Sequence, residues 1–352
     1  MSSEAERPRK ATRFRLYAPF VLLAVLALGW TVAWFVIRAR VVSGLDEWIS
    51  AEAELGRRWS CADRRVAGYP FRIEIACASL TLERPDLTAS LGRVLVVAQV
   101  YRPNHVIAEA ASPLRVQAGP SGGEATWRLL QTSVVLDRGA PARVSIAADA
   151  PTLNATSPEA NLDLSARRLE LHLRRDAAAS TNLDWALTAT GAVVPGLDGL
   201  VGGTEPADIA IVLAASQAGD LPARPILAEF ERWRAAGGKL DLTRVSLTKG
   251  PRRLEAKGSL ALDELHRPAG QVEVAAIGLE GLLGRLAGER SVLGGRLLGA
   301  LLGASPPSTI QQPAPSNPNA PALRPLPPLR LEGGRLFLGP LPIPGVRVPP
   351  LY

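Results

Sequence analysis

The stretch Arg253–Asp263, RLEAKGSLALD, sets Leu254, Ala256, Gly258, Leu260 and Leu262 in alternation with Arg253, Glu255, Lys257, Ser259 and Asp263. Neighbouring side chains of an extended chain point to opposite faces, so a period of two describes a strand with one apolar and one wet side. After a short polar connection, Val272, Val274 and Ala276 alternate with Gln271, Glu273 and Ala275. The two runs together read as a β-hairpin.

The same signal recurs in both directions. Phe71, Ile73, Ile75 and Cys77 share one side of a run whose other side carries Arg72 and Glu74, which points Cys77 toward the core. Leu162 and Leu164 are followed by Leu169, Leu171 and Leu173, with the phase slipping by one near Arg167 and Arg168, as a bulge or a turn requires. Val144 to Ala148, Leu183 to Ala189, Ile209 to Leu213, Leu240 to Leu247 and Leu336 to Leu338 are further strands, while Val94 to Ala98 lacks polar alternation and predicts a strand covered on both sides. Most runs keep one wet face. The predicted fold is therefore mainly β (α+β), a long, twisted, largely antiparallel sheet with a few flanking helices.

Helical spacing is confined to short pieces. Leu45, Trp48, Ile49, Ala53 and Leu55 predict a helix near residues 38–58, and Ile226, Leu227, Phe230 and Trp233 predict another that starts at Pro225 and stops at Gly237-Gly238. Leu279 to Ala287 and Ser291 to Leu302 are further helical candidates. Ser305 to Pro328 holds 9 prolines in 24 residues and reads as an extended insertion that buries too little to order itself.

The run Leu16 to Ile37 has 22 residues without a charge, enough to cross ~30 Å of hydrocarbon as a helix. Five bases between Arg7 and Arg15 precede it, which favours a cytoplasmic tail and an exported remainder; Tyr17, Trp30 and Trp34 suit membrane interfaces. A signal peptide cleaved near Ala27-Leu28-Gly29 is the competing reading. The organisation that follows is a basic tail (1–15), a transmembrane helix (16–37), a membrane-proximal helix (38–58), a β-rich domain (59–304), the Pro-rich insertion (305–328) and strands that return to the sheet (329–352).

Composition narrows the chemistry. Of 40 Lys plus Arg and 33 Asp plus Glu, the first 40 residues hold 7 and 2, so the remaining 33 and 31 leave the body near neutral at +2. With that balance and aromatic residues scattered among apolar neighbours, no nucleic-acid surface is expected. Three His, two Cys and one Met make a transition-metal or haem site a poor fit, and no cofactor is expected. Cys61 and Cys77 are the only possible disulfide pair, and a structural staple fits an exported chain better than a redox or metal role. Gly119-Pro120-Ser121-Gly122-Gly123 matches a nucleophile-elbow spacing, but no helix begins after Ser121 and a loop tip is the better reading. His172 falls on a polar strand face, His105 in a loop-like stretch, and Asp263, Glu264 and His266 at a hairpin connection. No enzymatic activity is expected.

Trp59-Ser60-Cys61, then Gly68-Tyr69-Pro70-Phe71-Arg72-Ile73-Glu74 and Cys77, resembles the signature of domain of unknown function 2125, a family of membrane-anchored bacterial proteins. The ending Gly334-Arg335-Leu336-Phe337-Leu338-Gly339-Pro340-Leu341-Pro342 is similar to how that family closes. The resemblance implies an inner-membrane anchor with a periplasmic β-rich body and assigns no catalytic activity. The strand style also resembles the AsmA-like envelope proteins, associated with phospholipid movement or outer-membrane upkeep, by fold-level analogy. Gly68-Tyr69-Pro70 reads as a turn that delivers Phe71 into a strand, with Tyr69 placed to cover the Cys61 to Cys77 bridge. Two functions follow as expectations. In the first, an incompletely covered sheet leaves an apolar trough for phospholipid acyl chains, lined by Leu254, Leu260, Leu262, Val272 and Val274; a helix covering them would give the same pattern. In the second, the chain is a non-catalytic scaffold that meets other envelope proteins through 305–328.

Overall fold

The computed structural model describes residues 13–352 except 159, 177, 178, 180, 220–225 and 279–321. The tail before residue 13, the helices expected over Leu279 to Ala287 and Ser291 to Leu302, and the Pro-rich segment as far as residue 321 lie outside the described residues. Helix α1 (Arg13–Glu54) is one unbroken element of 42 residues, so the two helices expected on either side of residue 37 are continuous. At 1.5 Å per residue it is ~63 Å long. Its first half is long and apolar enough to cross a membrane. It stops where Gly56 takes φ 77°, with Arg57 N–H returning to the Glu52 carbonyl at 2.9 Å.

Next come β1 (Arg58–Cys61), β2 (Arg65–Ala67), β3 (Arg72–Cys77), β4 (Leu80–Glu83), β5 (Thr88–Leu91), β6 (Val94–Gln99), β7 (Arg102–Ala110) and β8 (Leu114–Ala118). They are followed by β9 (Ser121–Thr126), β10 (Leu129–Asp137), β11 (Ala140–Asp149), β12 (Thr152–Thr156), β13 (Asn161–Ser165), β14 (Arg168–Arg175) and β15 (Leu183–Ala192). The remainder is α2 (Pro195–Val201), β16 (Ala207–Ala215), α3 (Ile226–Ala235), β17 (Leu240–Lys249), β18 (Arg252–Leu262) and β19 (Pro268–Ile277). Last are β20 (Arg324–Pro325), β21 (Leu329–Glu332), β22 (Arg335–Leu338) and β23 (Leu341–Arg347). Each strand read from the alternation corresponds to one of these, with Phe71 just before β3 and Asp263 just after β18. His105 sits inside β7, not in a loop, and α2 has no counterpart in the sequence reading.

Among the described residues the strands form two antiparallel sheets, one of seven strands and one of sixteen. The seven-stranded sheet runs β1-β4-β5-β8-β9-β12-β13; the larger one runs from β2 and β3 through β19 to β23, with β20 beside β19. The end of the Pro-rich segment already belongs to the sheet, because β20 pairs with β19 and Leu326 N–H bonds to the Val274 carbonyl at 2.8 Å.

The two sheets are halves of one creased sheet. β3 and β4, β5 and β6, β7 and β8, β9 and β10, β11 and β12, and β13 and β14 are long strands broken by two or three residues where the chain changes sheet. Backbone hydrogen bonds continue across the breaks, from Ala78 N–H to Ala62 O (2.8 Å), Ala111 N–H to Arg93 O (2.7 Å) and Ala150 N–H to Arg167 O (2.8 Å). Gly92 sits in this crease because a Cβ there would lie 2.7 Å from the Ala111 carbonyl oxygen. The break at Ala166-Arg167 is also where the leucine phase slips: an extra residue keeps the apolar side chains on one side as the strand bends. Cys61, opposite Leu80 in the small sheet, is bonded to Cys77, opposite Val94 in the large one, with Cα atoms 5.2 Å apart. The disulfide therefore joins the apolar faces of the two halves. The double covering expected for Val94 to Ala98 is not found: only Val94 is buried, because the other face of β6 looks outward.

Replacing both cysteines (Cys61→Ser with Cys77→Ser) releases a loop closed at a sequence separation of 16. The expected cost is about 3 kcal/mol of unfolding free energy, measured by denaturant titration in detergent with tryptophan fluorescence. An unchanged midpoint would mean that the crease does not depend on the bridge.

Candidate functional site

The pairings define one face of the large sheet residue by residue. Ile75, Val96, Ala108, Thr132, Ile146, Leu171, Leu187, Ile211, Val245 and Ala256 follow one another across ten strands, and Val274 continues the row. Only Thr132 is polar. The small sheet repeats the pattern: Leu82, Ala89, Val116, Gly123, Ala155 and Leu162 lie on one face, with Thr81, Ser90, Arg115, Glu124 and Asp163 on the other. Side chains this apolar belong in a core. Yet Leu171, Leu187, Ile211, Val245 and Leu254 are only half-buried, and Leu162 is exposed.

Two short helices stand at opposite rims of this face. At one rim, α2 brings the Asp198 carboxylate within 2.6 Å of Lys249 Nζ, which also bonds to the Glu205 carbonyl. Lys249 lies on the apolar face with 2% of its surface exposed, and the carboxylate neutralises a charge that would otherwise be costly to bury. At the other rim α3 packs through Phe230 and Trp233, and Trp233 Nε1–H donates to the Ser216 carbonyl at 2.7 Å. Between α3 and the sheet lies a cavity of about 500 Å³, lined by Leu183, Trp185, Leu213, Ala215, Leu240 and Leu260 among others. That volume falls within the roughly 300–1,000 Å³ span of small-molecule sites.

The expected lining residues divide. Leu254, Leu260, Leu262, Val272 and Val274 share the apolar face of the β18–β19 hairpin, but only Leu260 and Leu262 reach the cavity. Val274 is buried, and Val272 pairs with Leu329 of β21. Trp185, Leu213 and Trp233, which complete the cavity, come from β15, β16 and α3; no local spacing connects them.

Leu351 and Tyr352 lie beside the cavity and α3. Leu351 lines the cavity, and Leu351 N–H bonds to the His266 carbonyl at 3.0 Å. Tyr352 stacks on His266 (4.4 Å between centroids) and on Phe230 (6.1 Å), and its hydroxyl donates to Glu231 Oε2 at 3.0 Å. Arg234 holds the other Glu231 oxygen at 2.5 Å.

The corner Gly68-Tyr69-Pro70-Phe71 departs from its expected role. Tyr69 does not cover the disulfide: its hydroxyl meets Thr31 Oγ1 at 2.8 Å and its ring packs edge-on against Trp34 of α1 at 5.4 Å. Phe71 does not enter the core with Ile73. It precedes β3, is 61% exposed, and lies 6.2 Å from the Trp30 ring. Gly68 is required here, since φ is 107° and a Cβ would meet the Arg72 carbonyl at 2.6 Å.

The remaining polar candidates stay local. Ser121 starts β9 at a hairpin tip, His172 Nδ1 is 3.0 Å from Ser145 Oγ on the outward face, and Asp263 caps its own turn through Leu265 and Arg267 N–H. Among the described residues no three His, Cys, Asp or Glu side chains are grouped to hold a metal ion.

The crease, the stapled cysteines and the corner are set in a span that a family model, described as an uncharacterized protein conserved in bacteria (DUF2125), matches over residues 34–346. The chain belongs to this family. Comparison with curated proteins and with solved structures finds no match. The DUF2125 span opens at Trp34, whose indole bonds to the corner, and takes in both sheets and β22. It closes before Leu351 and Tyr352, so of the clasp that these two residues make on α3 and His266, only its Leu351–Tyr352 side lies outside the span that the DUF2125 model matches.

The Arg234 guanidinium, with help from Tyr352 and against partial desolvation, holds the Glu231 carboxyl down to about 2, from an ordinary 4.5. The folded-state value lies below the unfolded one, so this contribution is complete above pH ~4.5 and is lost as the pH falls toward ~2. Protection of the Leu351 amide, taken relative to its intrinsic exchange rate at each pH, should fall over that window, and Glu231→Gln should lower it at every pH. Protection that does not change on acidification would mean that the clasp does not rest on this ion pair.

Proposed function

We propose that the protein is a non-catalytic, membrane-anchored lipid carrier whose creased sheet holds or guides phospholipid acyl chains on the outer side of a bacterial inner membrane. The observation that carries this reading is one apolar face, continuous across both sheets, that is half-exposed among the described residues and roofed at α3 with a cavity of about 500 Å³. A face this broad would bind water poorly and lipid well. Its Leu, Val, Ile and Ala side chains suit apolar chains, and Glu229 and Arg232 are the charged residues in the cavity lining. The uncharged run in α1 supports an anchor more than a cleaved signal, because the helix continues without a break past the possible cleavage site into contact with the sheet. The basic residues before it support a cytoplasmic N-terminus.

Full-length protein extracted in native lipid particles, then moved into detergent and weighed by native mass spectrometry, should retain phospholipid-mass adducts. Ala215→Trp fills the cavity from a small, buried wall position and should cut retained lipid about tenfold, the effect of ~1.4 kcal/mol of lost apolar contact. A wild-type protein that carries no lipid, with its disulfide intact, would overturn the reading.

A further inference from the structure

We infer that the corner Gly68–Arg72 and the neighbouring turn Val100-Tyr101 are immersed in the bilayer beside α1, with the surrounding arginines on anionic phospholipid head groups. The inference rests on reading α1 as a membrane anchor. Four side chains on one stripe of α1 bond to the start of the large sheet. Trp30 Nε1–H donates to Pro70 O at 2.9 Å, Thr31 pairs with the Tyr69 hydroxyl, Trp34 Nε1–H donates to Arg72 O at 3.0 Å, and Arg38 Nε–H donates to Val66 O at 3.1 Å. Trp30 precedes the end of the uncharged run at Ile37 by seven residues, which is ~10 Å along the helix axis. Any segment bonded to Trp30 is carried to that depth.

The corner is built for such surroundings. Irregular backbone survives in hydrocarbon only where its polar groups are satisfied within the protein. Here Gly68 O accepts from Arg72 N–H, Phe71 O accepts from Val100 N–H, Pro70 and Arg72 carbonyls accept from the two indoles, and Pro70 has no N–H to satisfy. The side chains turned outward are aromatic: Tyr69 is 53% exposed, Phe71 61% and Tyr101 63%. In water such a trio is a liability. At a bilayer interface, rings of this kind are the enriched residues.

Charge completes the fit. Arg72 and Arg102 both lie opposite Gln99, and Arg65 begins the adjacent β2. Arg65, Arg72 and Arg102 are exposed, and Glu74, bonded to Arg72 at 2.6 Å, is the acidic group among them. Long guanidinium stems let these charges reach the head groups while the corner sits lower.

The test is photo-crosslinking in nanodiscs of phosphatidylcholine and phosphatidylglycerol, using the full-length protein and a phosphatidylcholine with a diazirine near the glycerol end of its acyl chain. Peptide mapping should place adducts on Tyr69 to Phe71 and on Tyr101 as well as on α1. Omitting phosphatidylglycerol should lower the corner yield, and Arg65→Glu with Arg102→Glu should lower it about fivefold per arginine, with α1 adducts unchanged. Adducts confined to α1 would overturn the immersed corner and leave the anchor standing. Adducts on neither would overturn both.

Discussion

The controlling constraint is an imbalance, among the described residues, between apolar sheet surface and the helices that cover it. Fifteen hydrogen-bonded strands at about 4.8 Å spacing make a face nearly 70 Å wide, while α3, with ten residues, is ~15 Å long. A sheet normally buries its apolar side against a second layer. Among the described residues the two short helices sit at the rims, where α2 shields Lys249 and α3 roofs one cavity. Among the described residues the crease brings the small sheet's apolar side against the large sheet's at the Cys61–Cys77 bridge.

An open sheet also has edges, and unpaired strand edges invite association with other chains. α1 meets that problem at the first edge. Beyond the four bonds near the corner it runs along β2 and β1, with Asp46 bridging to Arg64 at 2.7 Å, Trp48 beside Trp59 at 5.8 Å, and Glu52 accepting from Arg57. One helix thus serves as a membrane-length apolar segment and as the cover of a strand edge. The continuity of α1 matters for this: a break near residue 38 would let the sheet swing, whereas a single helix bonded at both ends of its exposed stretch fixes the sheet's tilt.

Much of this was legible in the sequence, and the rest was hidden for definable reasons. Alternation along Leu254 to Leu262 and Leu169 to Leu173 is a local property of the strand, so strand positions and the apolar face could be read directly. The crease was not, because each break is two or three residues long and registers only as a phase slip, as at Arg167. Trp30 and Trp34 suggested a membrane interface, but their bonds go to carbonyls about forty residues away, and a carbonyl acceptor has no side-chain signature. Tyr69 was read as a partner for the nearest notable group, the disulfide, when its true partner is a threonine inside an apolar helix. The cavity shares that difficulty, since Trp185, Leu213 and Trp233 meet only after two strands and a helix have packed.

The position of the cavity gives the apolar face a direction. Along the strand order, β16 stands seven places from β3, so at about 4.8 Å per place the roofed site is ~35 Å across the sheet from the edge held by α1. In the proposed lipid carrier, a site for apolar chains that far from α1 would be filled by random encounter or along a path. Encounter from water is unfavourable for a phospholipid, because both chains would be hydrated on the way. The row from Ile75 to Val245 makes the path continuous, interrupted in polarity only at Thr132, and it starts at the strand whose first residue bonds to Trp34. The same apolar surface that makes the fold hard to bury therefore connects the edge covered by α1 to the roofed end, with Thr132 as the one polar residue in the row.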